Sequence, residues 1–324
     1  MTKTQSNTRN GHTSTVLSRD GAAIGYISLG SGPSVVVIPG ALSVASGYTA
    51  FASCLANHFS VHIMERRGRG PSSPQGDAYS IDKEVDDVLA LCHETGASFL
   101  VGHSFGGLIA LEAARRNPAL DKIAVYEPGV SIAHSIPMSW MRGYEEKLAR
   151  KQYYDAFVEF SLATGPDRTR NFPVWLMKLL LPLYLSPKER QLMLGQLAEN
   201  LREHREIARL DSSYRNYREI SAGVLLLHGG KSGLGWVRLA IEQLASILPH
   251  SQTKIFPRLN HFGIDKQAPE EVARTIGDYF SDASDHDTVA RASLNWDPLI
   301  HCEGLRPAIP RWRDGRATGR RGVR

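Results

Sequence analysis

Apolar and polar positions alternate between two rhythms along most of this chain. Short β-branched runs recur at 34–38, 61–64, 99–101, 123–126, 224–227 and 254–256. Each is only a few residues long and almost continuously apolar, the pattern of a strand buried on both faces. Between most of them lie stretches with helical spacing, at 81–93, 108–116, 237–248 and 270–280. Strands alternating with helices predict βαβ units with right-handed crossovers and a mostly parallel, twisted sheet covered by helices on both faces. Ahead of this alternation, 13–29 reads as two strands around a turn at Asp20 and Gly21, which predicts an antiparallel edge.

One interval breaks the rhythm. Between Tyr126 and Val224 about a hundred residues carry no strand pattern and lean helical. They are rich in aromatic residues, among them Trp140, Tyr144, Phe157, Phe160 and Trp175. Such a length is too great for a bare loop, so a helical cap inserted into the sheet domain is expected. The expected organisation is a disordered N-terminus at 1–12, an α/β core made of 13–130 and 216–281, a cap at 131–215, and a C-terminal extension at 282–324 that reads as a disordered basic tail.

Composition narrows the class. With 324 residues, 42% hydrophobic and 22% charged, the chain is too apolar for wholesale disorder. Three widely spaced cysteines (Cys54, Cys92, Cys302) do not make a disulfide framework and suit a reducing compartment. The net charge of +5 is local: residues 306–324 hold seven arginines against Asp314, a balance of +6, leaving the remainder at −1. The basic tail reads as a solvated end, with no nucleic-acid signature in the core. The N-terminal ten residues are polar and lack the apolar segment of a secretory signal. The longest apolar stretch, 174–185, is about half a bilayer span and contains Lys178 and Pro182. A cytoplasmic protein without a membrane span, a monomer or homodimer, is expected.

The chemistry centres on Gly102-His103-Ser104-Phe105-Gly106, a G-x-S-x-G motif between a strand pattern and a good helix former. That is the strand–turn–helix setting a nucleophile elbow demands, in which a strained turn lifts the serine hydroxyl to the sheet edge beside a helix N-terminus. A serine needs a base to take its proton. Of twelve histidines, His261 follows a strand and precedes a helix, in the chain order Ser…His. His103 neighbours the serine, but successive side chains at an elbow point apart. His58 and His62 lack metal-ligand context, and neither metal nor cofactor is expected.

With these residues in view, the chain resembles the α/β-hydrolase-fold superfamily over roughly residues 13–281. Ile38-Pro39-Gly40-Ala41 matches its loop after the third strand, and Arg66-Arg67-Gly68-Arg69-Gly70-Pro71-Ser72 its R-G-x-G-x-S turn. The elbow follows, and Asn260-His261-Phe262-Gly263 sits where the family places its base. The resemblance implies a Ser–His–acid triad, with an oxyanion hole from the backbone amides of Ala41 and Phe105. The acid departs from the commonest pattern: Gly229-Gly230-Lys231-Ser232 carries a serine where the family has an aspartate, and 220–241 contains no Asp or Glu. Some members of the fold draw the acid from the end of the preceding strand, where Glu127 stands. Ser232 is a weak substitute and Asp265 a further candidate. The arginine-rich turn is expected to be structural.

A neutral body under an aromatic cap implies a small, mainly apolar substrate, with Leu42, Met138, Trp140 and Trp175 as candidate contacts. The expected activity is hydrolysis of a carboxylic ester, thioester or lactone through an acyl-enzyme. The alternatives are lyase, carbon–carbon hydrolase, acyl-transfer or perhydrolase chemistry on the same triad, or a ligand-binding protein that keeps the scaffold without catalysis.

Overall fold

A computed structural model describes residues 11–282. The expectations for 1–10, and for the arginine tail with Cys302, lie outside the described residues. Eight strands form one sheet: β1 (His12–Leu17), β2 (Ala23–Gly30), β3 (Ser34–Ile38), β4 (Ser60–Met64), β5 (Phe99–His103), β6 (Lys122–Tyr126), β7 (Gly223–Gly229) and β8 (Ser251–Phe256). Their order is β1-β2-β4-β3-β5-β6-β7-β8. The first two pairings, β1 with β2 and β2 with β4, are antiparallel and the rest are parallel. The N-terminal edge begins inside the stretch expected to be disordered, because His12 pairs with Ser28.

Among the described residues, ten α-helices accompany the strands: α1 (Thr49–Leu55), α2 (Ile81–Thr95), α3 (Phe105–Arg116), α4 (Met141–Ala149), α5 (Tyr153–Thr164), α6 (Val174–Tyr184), α7 (Pro187–Leu194), α8 (Leu197–Arg209), α9 (Gly235–Ile247) and α10 (Pro269–Ser281). The two-residue repeat of a strand decides which side chains meet which helices. Val36, Ile38, Leu100, Ile123, Val125, Val224 and Leu226 pack with α2, α3 and α9 on one face. Their neighbours Val35, Val37, Val101, Ala124, Leu225 and Leu227 pack with α1 and α10 on the other. Both faces are therefore dry, which explains why the strands read as unbroken apolar runs.

Helix α3 is buried at ten consecutive positions and runs against the sheet centre. Its approach depends on two glycines. A Cβ on Gly106 would stand 2.1 Å from the carbonyl oxygen of Ile38, and one on Gly102 would stand 2.4 Å from that of Gly106. Helices α4–α8 all fall between β6 and β7 and form the inserted helical cap. Trp140, Tyr144, Ala156, Phe157, Leu197 and Leu201 make its core, joined by Leu42 from the loop after β3. Among the described residues no helix is long and apolar enough to cross a membrane.

The arginine-rich turn after β4 is consumed structurally. Arg67 bridges Asp87 on α2 and Asp20 in the β1–β2 turn. Ser72 Oγ accepts from Gly25 N–H and donates to Glu65 O, fastening the turn to β2.

Candidate active site

Strands β5 and β6 are adjacent and parallel, with His103 paired to Tyr126. The next residue on each, Ser104 and Glu127, therefore leaves the same sheet edge side by side. Both turn sharply there. Ser104 has φ 53 and Glu127 φ 45, left-handed values that non-glycine residues adopt at a cost of about 1–3 kcal/mol and keep where surroundings over-determine them. Around Ser104 those surroundings are backbone bonds: its N–H donates to Tyr126 O, and its carbonyl accepts from Gly107, Leu108 and Gly129.

Glu127 is fully buried and each carboxylate oxygen is engaged. Oε1 accepts from Gly229 N–H at 2.8 Å, and Oε2 accepts from Ser232 Oγ at 2.8 Å. Oε2 also accepts from His261 Nδ1 at 2.7 Å. An ionised carboxylate only accepts, so Nδ1 is the donor in this bond. The His261 side chain remains 18% exposed. Its backbone carbonyl accepts from His103 Nε2 at 2.8 Å, and the two imidazole centroids lie 4.9 Å apart. The loop that carries His261 is thus tied directly to the residue before Ser104.

His103 itself points inward, between Tyr48 and Tyr126. Its Nε2 donates to a carbonyl, so Nδ1 accepts from Tyr48 Oη at 2.6 Å. Burial, with a lesser contribution from His261, holds its pKa well below the usual histidine value, and the ring stays neutral. Tyr48 Oη in turn accepts from Gly40 N–H at 3.1 Å. Nothing in the local sequence marks these two residues as partners; only the adjacency of His103 to the motif serine pointed near them.

The loop after β3 lies against the serine, since a Cβ on Gly40 would stand 3.2 Å from Ser104 Cβ. Among the described residues, neither the Ala41 N–H nor the Phe105 N–H donates a hydrogen bond. The structure thus gathers Ser104, Glu127, His261, Ala41 and Phe105 at one sheet edge. Among the described residues Ser104 Oγ makes no hydrogen bond, to His261 or to any other group.

The expected substrate contacts scatter. Leu42 and Trp140 share the cap cluster, where Trp140 meets Tyr144, Phe160 and His204 edge-on. Met138 packs half-buried against the core cluster of α2, α3 and α9. Trp175 is 67% exposed on α6. Asp265 lies in a π-helical turn, Gly263–Gln267, just after His261. It makes no hydrogen bond to His261; its Oδ1 is buried without a partner, and burial raises its pKa to about 6. A cavity of about 400 Å³ opens behind Glu127, between 166–168 and 228–238, but Ser104 and His261 do not line it. Among the described residues no group of three or more His, Cys, Asp or Glu is arranged to hold a metal ion.

Comparison with known proteins agrees with this architecture. The profile of the alpha/beta hydrolase family matches residues 35–275. The chain belongs to the alpha/beta hydrolase family. Within it, the chain is 29% identical over 147 residues to N-formylmaleamate deformylase of Pseudomonas putida, covering 44% of this chain and 52% of that one. It thus spans about half the length of that relative. It is 23% identical over 273 residues to 2-(acetamidomethylene)succinate hydrolase of Mesorhizobium japonicum, covering 79% and 92% of the two chains. The crystal structure of an alpha/beta hydrolase from Sphaerobacter thermophilus superposes with a TM-score of 0.71 at 26% identity, covering 83% of this chain and all of that one.

Proposed function

We propose that this protein is a serine hydrolase that cleaves a small, mainly apolar carboxylic ester, thioester or lactone. The reading rests above all on the hydrogen bond from His261 Nδ1 to the buried carboxylate of Glu127, at the edge where Ser104 stands. With Nδ1 occupied as donor, Nε2 is the free base that takes the Ser104 proton. Oγ attacks the substrate carbonyl carbon, and the carbonyl oxygen becomes an oxyanion held by the Ala41 and Phe105 amides. Two such donors contribute on the order of 3 kcal/mol each. Collapse expels the leaving group with the proton carried by His261. Water, deprotonated by the same imidazole, then releases the acid from Ser104. Glu127 supplies the anion that the loop after β7 lacks, and Ser232 supports it.

The apolar side chains of the cap, with Leu42 reaching into their cluster, favour an apolar acyl group. A second reading, cleavage of an acyl–nitrogen bond by the same residues, is favoured by the likeness to a deformylase. Lyase, carbon–carbon hydrolase, acyl-transfer and perhydrolase chemistry would use the same triad, and a non-catalytic ligand-binding role is the remaining alternative. A fluorophosphonate probe should label wild-type protein but not Ser104→Ala, and p-nitrophenyl esters of increasing chain length should show a maximum at short acyl chains. Equal labelling of both proteins would remove Ser104 from the mechanism.

A further inference from the structure

Arg66 is a fully buried cation whose place next to the catalytic loop is not explained by folding the turn it belongs to. Strands β3 and β4 are parallel neighbours, with Val37 beside Ile63, so the chain leaves them with Pro39-Gly40 next to Glu65-Arg66. Arg66 Nη1 donates to Gly40 O at 3.2 Å and, at a longer 3.5 Å, to Pro39 O. The rest of the guanidinium is clamped. Nε and Nη2 meet Glu84 at 3.2 and 2.8 Å, and Nη2 also meets Glu203 at 2.9 Å. The guanidinium carbon lies 4.7 Å from the centroid of the Phe105 ring. Burial by itself would lower its pKa, but Glu203 and Glu84 together raise it, and the charge is permanent.

Peptide geometry turns these contacts into a statement about direction. In a trans peptide the carbonyl and the following N–H point opposite ways. The peptide between residues 39 and 40 is held at both ends, its carbonyl by Arg66 and its N–H by Tyr48. The next peptide is held only at its carbonyl, by Arg66. Its N–H belongs to Ala41, which donates to no described residue. Fixing that carbonyl aims the free N–H away from the guanidinium. A cationic donor on the carbonyl also polarises the peptide and strengthens the N–H at its other end.

We propose that Arg66 is a positioning residue for the oxyanion hole: it fixes and polarises the Gly40–Ala41 peptide so that the Ala41 amide is preset to receive the oxyanion. Glu203 lies on α8, so the helical insertion supplies one of the two carboxylates that hold Arg66 in place. The inference rests on the hydrolase reading above, and its test separates the two.

The experiment compares wild-type protein, Arg66→Lys and Arg67→Lys. Arg67 is another buried, carboxylate-paired arginine of the same turn, and it touches neither Pro39 nor Gly40, so it controls for loss of a structural ion pair. Lysine at 66 retains the charge between Glu84 and Glu203 but not the planar fork that serves carboxylates and carbonyls together. Each protein is treated with a trifluoromethyl ketone enriched in ¹³C at its carbonyl. Ser104 Oγ adds to that carbon, the proton passes to His261, and the former carbonyl oxygen becomes a hemiketal oxygen that titrates in the ¹³C spectrum. In Arg66→Lys the hemiketal should titrate at least one pH unit above wild type while the His261 imidazole titration stays put. Its kcat on p-nitrophenyl acetate should fall about 30- to 100-fold with KM nearly constant, as for loss of an oxyanion donor. Arg67→Lys should show an unshifted hemiketal. If Arg66→Lys does not fold, Arg66→Gln combined with Glu203→Gln removes cation and carboxylate together and is read the same way. An unshifted hemiketal in the Arg66 variant overturns the inference alone, as does an equal shift in Arg67→Lys. A wild-type protein that forms no adduct overturns the hydrolase reading and the inference with it.

Discussion

The sequence offers three candidates for the acid, and they differ in the hydrogen bonds they make. Glu127 accepts from His261, although the two are 134 positions apart in the chain. Ser232, in the place where the family commonly has aspartate, donates to Glu127 rather than replacing it. Asp265, only four residues past the histidine, makes no such bond; its Oδ1 is buried without a hydrogen-bond partner. Glu127→Gln should keep the fold but lower kcat on an ester substrate about 10³- to 10⁴-fold, since the amide cannot hold the imidazolium. Ser232→Ala removes one hydrogen bond to a charged acceptor and should cost about tenfold. Comparable losses in the two variants, measured on protein with native circular dichroism, would contradict this division of labour.

Elements explain what single residues do not. Strands β5 and β6 deliver Ser104 and Glu127 to one edge because they are parallel and in register; the loop after β8 delivers His261 to the same place. The π-helical turn at Gly263–Gln267 carries an energetic burden. Unfolded, Asp265 titrates near 3.8, whereas burial raises the folded value to about 6. Between these values the folded protein holds a proton that the unfolded chain has released, so its contribution to stability declines as pH rises through the window. Asp265→Asn should therefore be close to neutral near pH 4 and gain up to about 3 kcal/mol relative to wild type at pH 7. Urea denaturation at both pH values tests it, and a pH-independent difference would refute it. Sequence periodicity found the strands and the flanking helices but missed the short α1 and this turn. Seven residues are too few for a helical period to emerge, and a turn with no repeating side does not record its burial.

At the scale of the molecule, sheet and insertion form one unit, and residue 282 closes it. Lys122 Nζ, at the start of β6, donates to the carbonyls of Tyr279 and Asp282 at the end of α10. Residues 11–282 contain every group assigned above, and the family match ends at residue 275. A chain ending at residue 282 keeps all of these groups, and its unfolding free energy should stay within about 0.5 kcal/mol of the full chain's. It should also label with fluorophosphonate at the same rate. A fall beyond that range, or slower labelling, would give residues 283–324 a part in the folded enzyme. The cap is fastened to the core through Glu203 and Gln196, which meet Arg66 and Arg69, and through Glu206, which accepts from Ile81 N–H at the start of α2. The aromatic cap positions divide accordingly: Trp140 packs inward, while Trp175 stands in solvent.

The strand runs, the helical interval between β6 and β7, the G-x-S-x-G turn and the histidine after β8 were all determined by the sequence alone, because each leaves a local signature in apolar periodicity or glycine placement. Glu127 was legible as a candidate only. Its pairing with His261, the support from Ser232, the inward turn of His103 and the clamp of Arg66 on the Gly40 carbonyl were decided by the tertiary structure. A carboxylate becomes a partner through distance and desolvation, and both depend on segments brought together from far along the chain, whereas periodicity records only whether a position faces water.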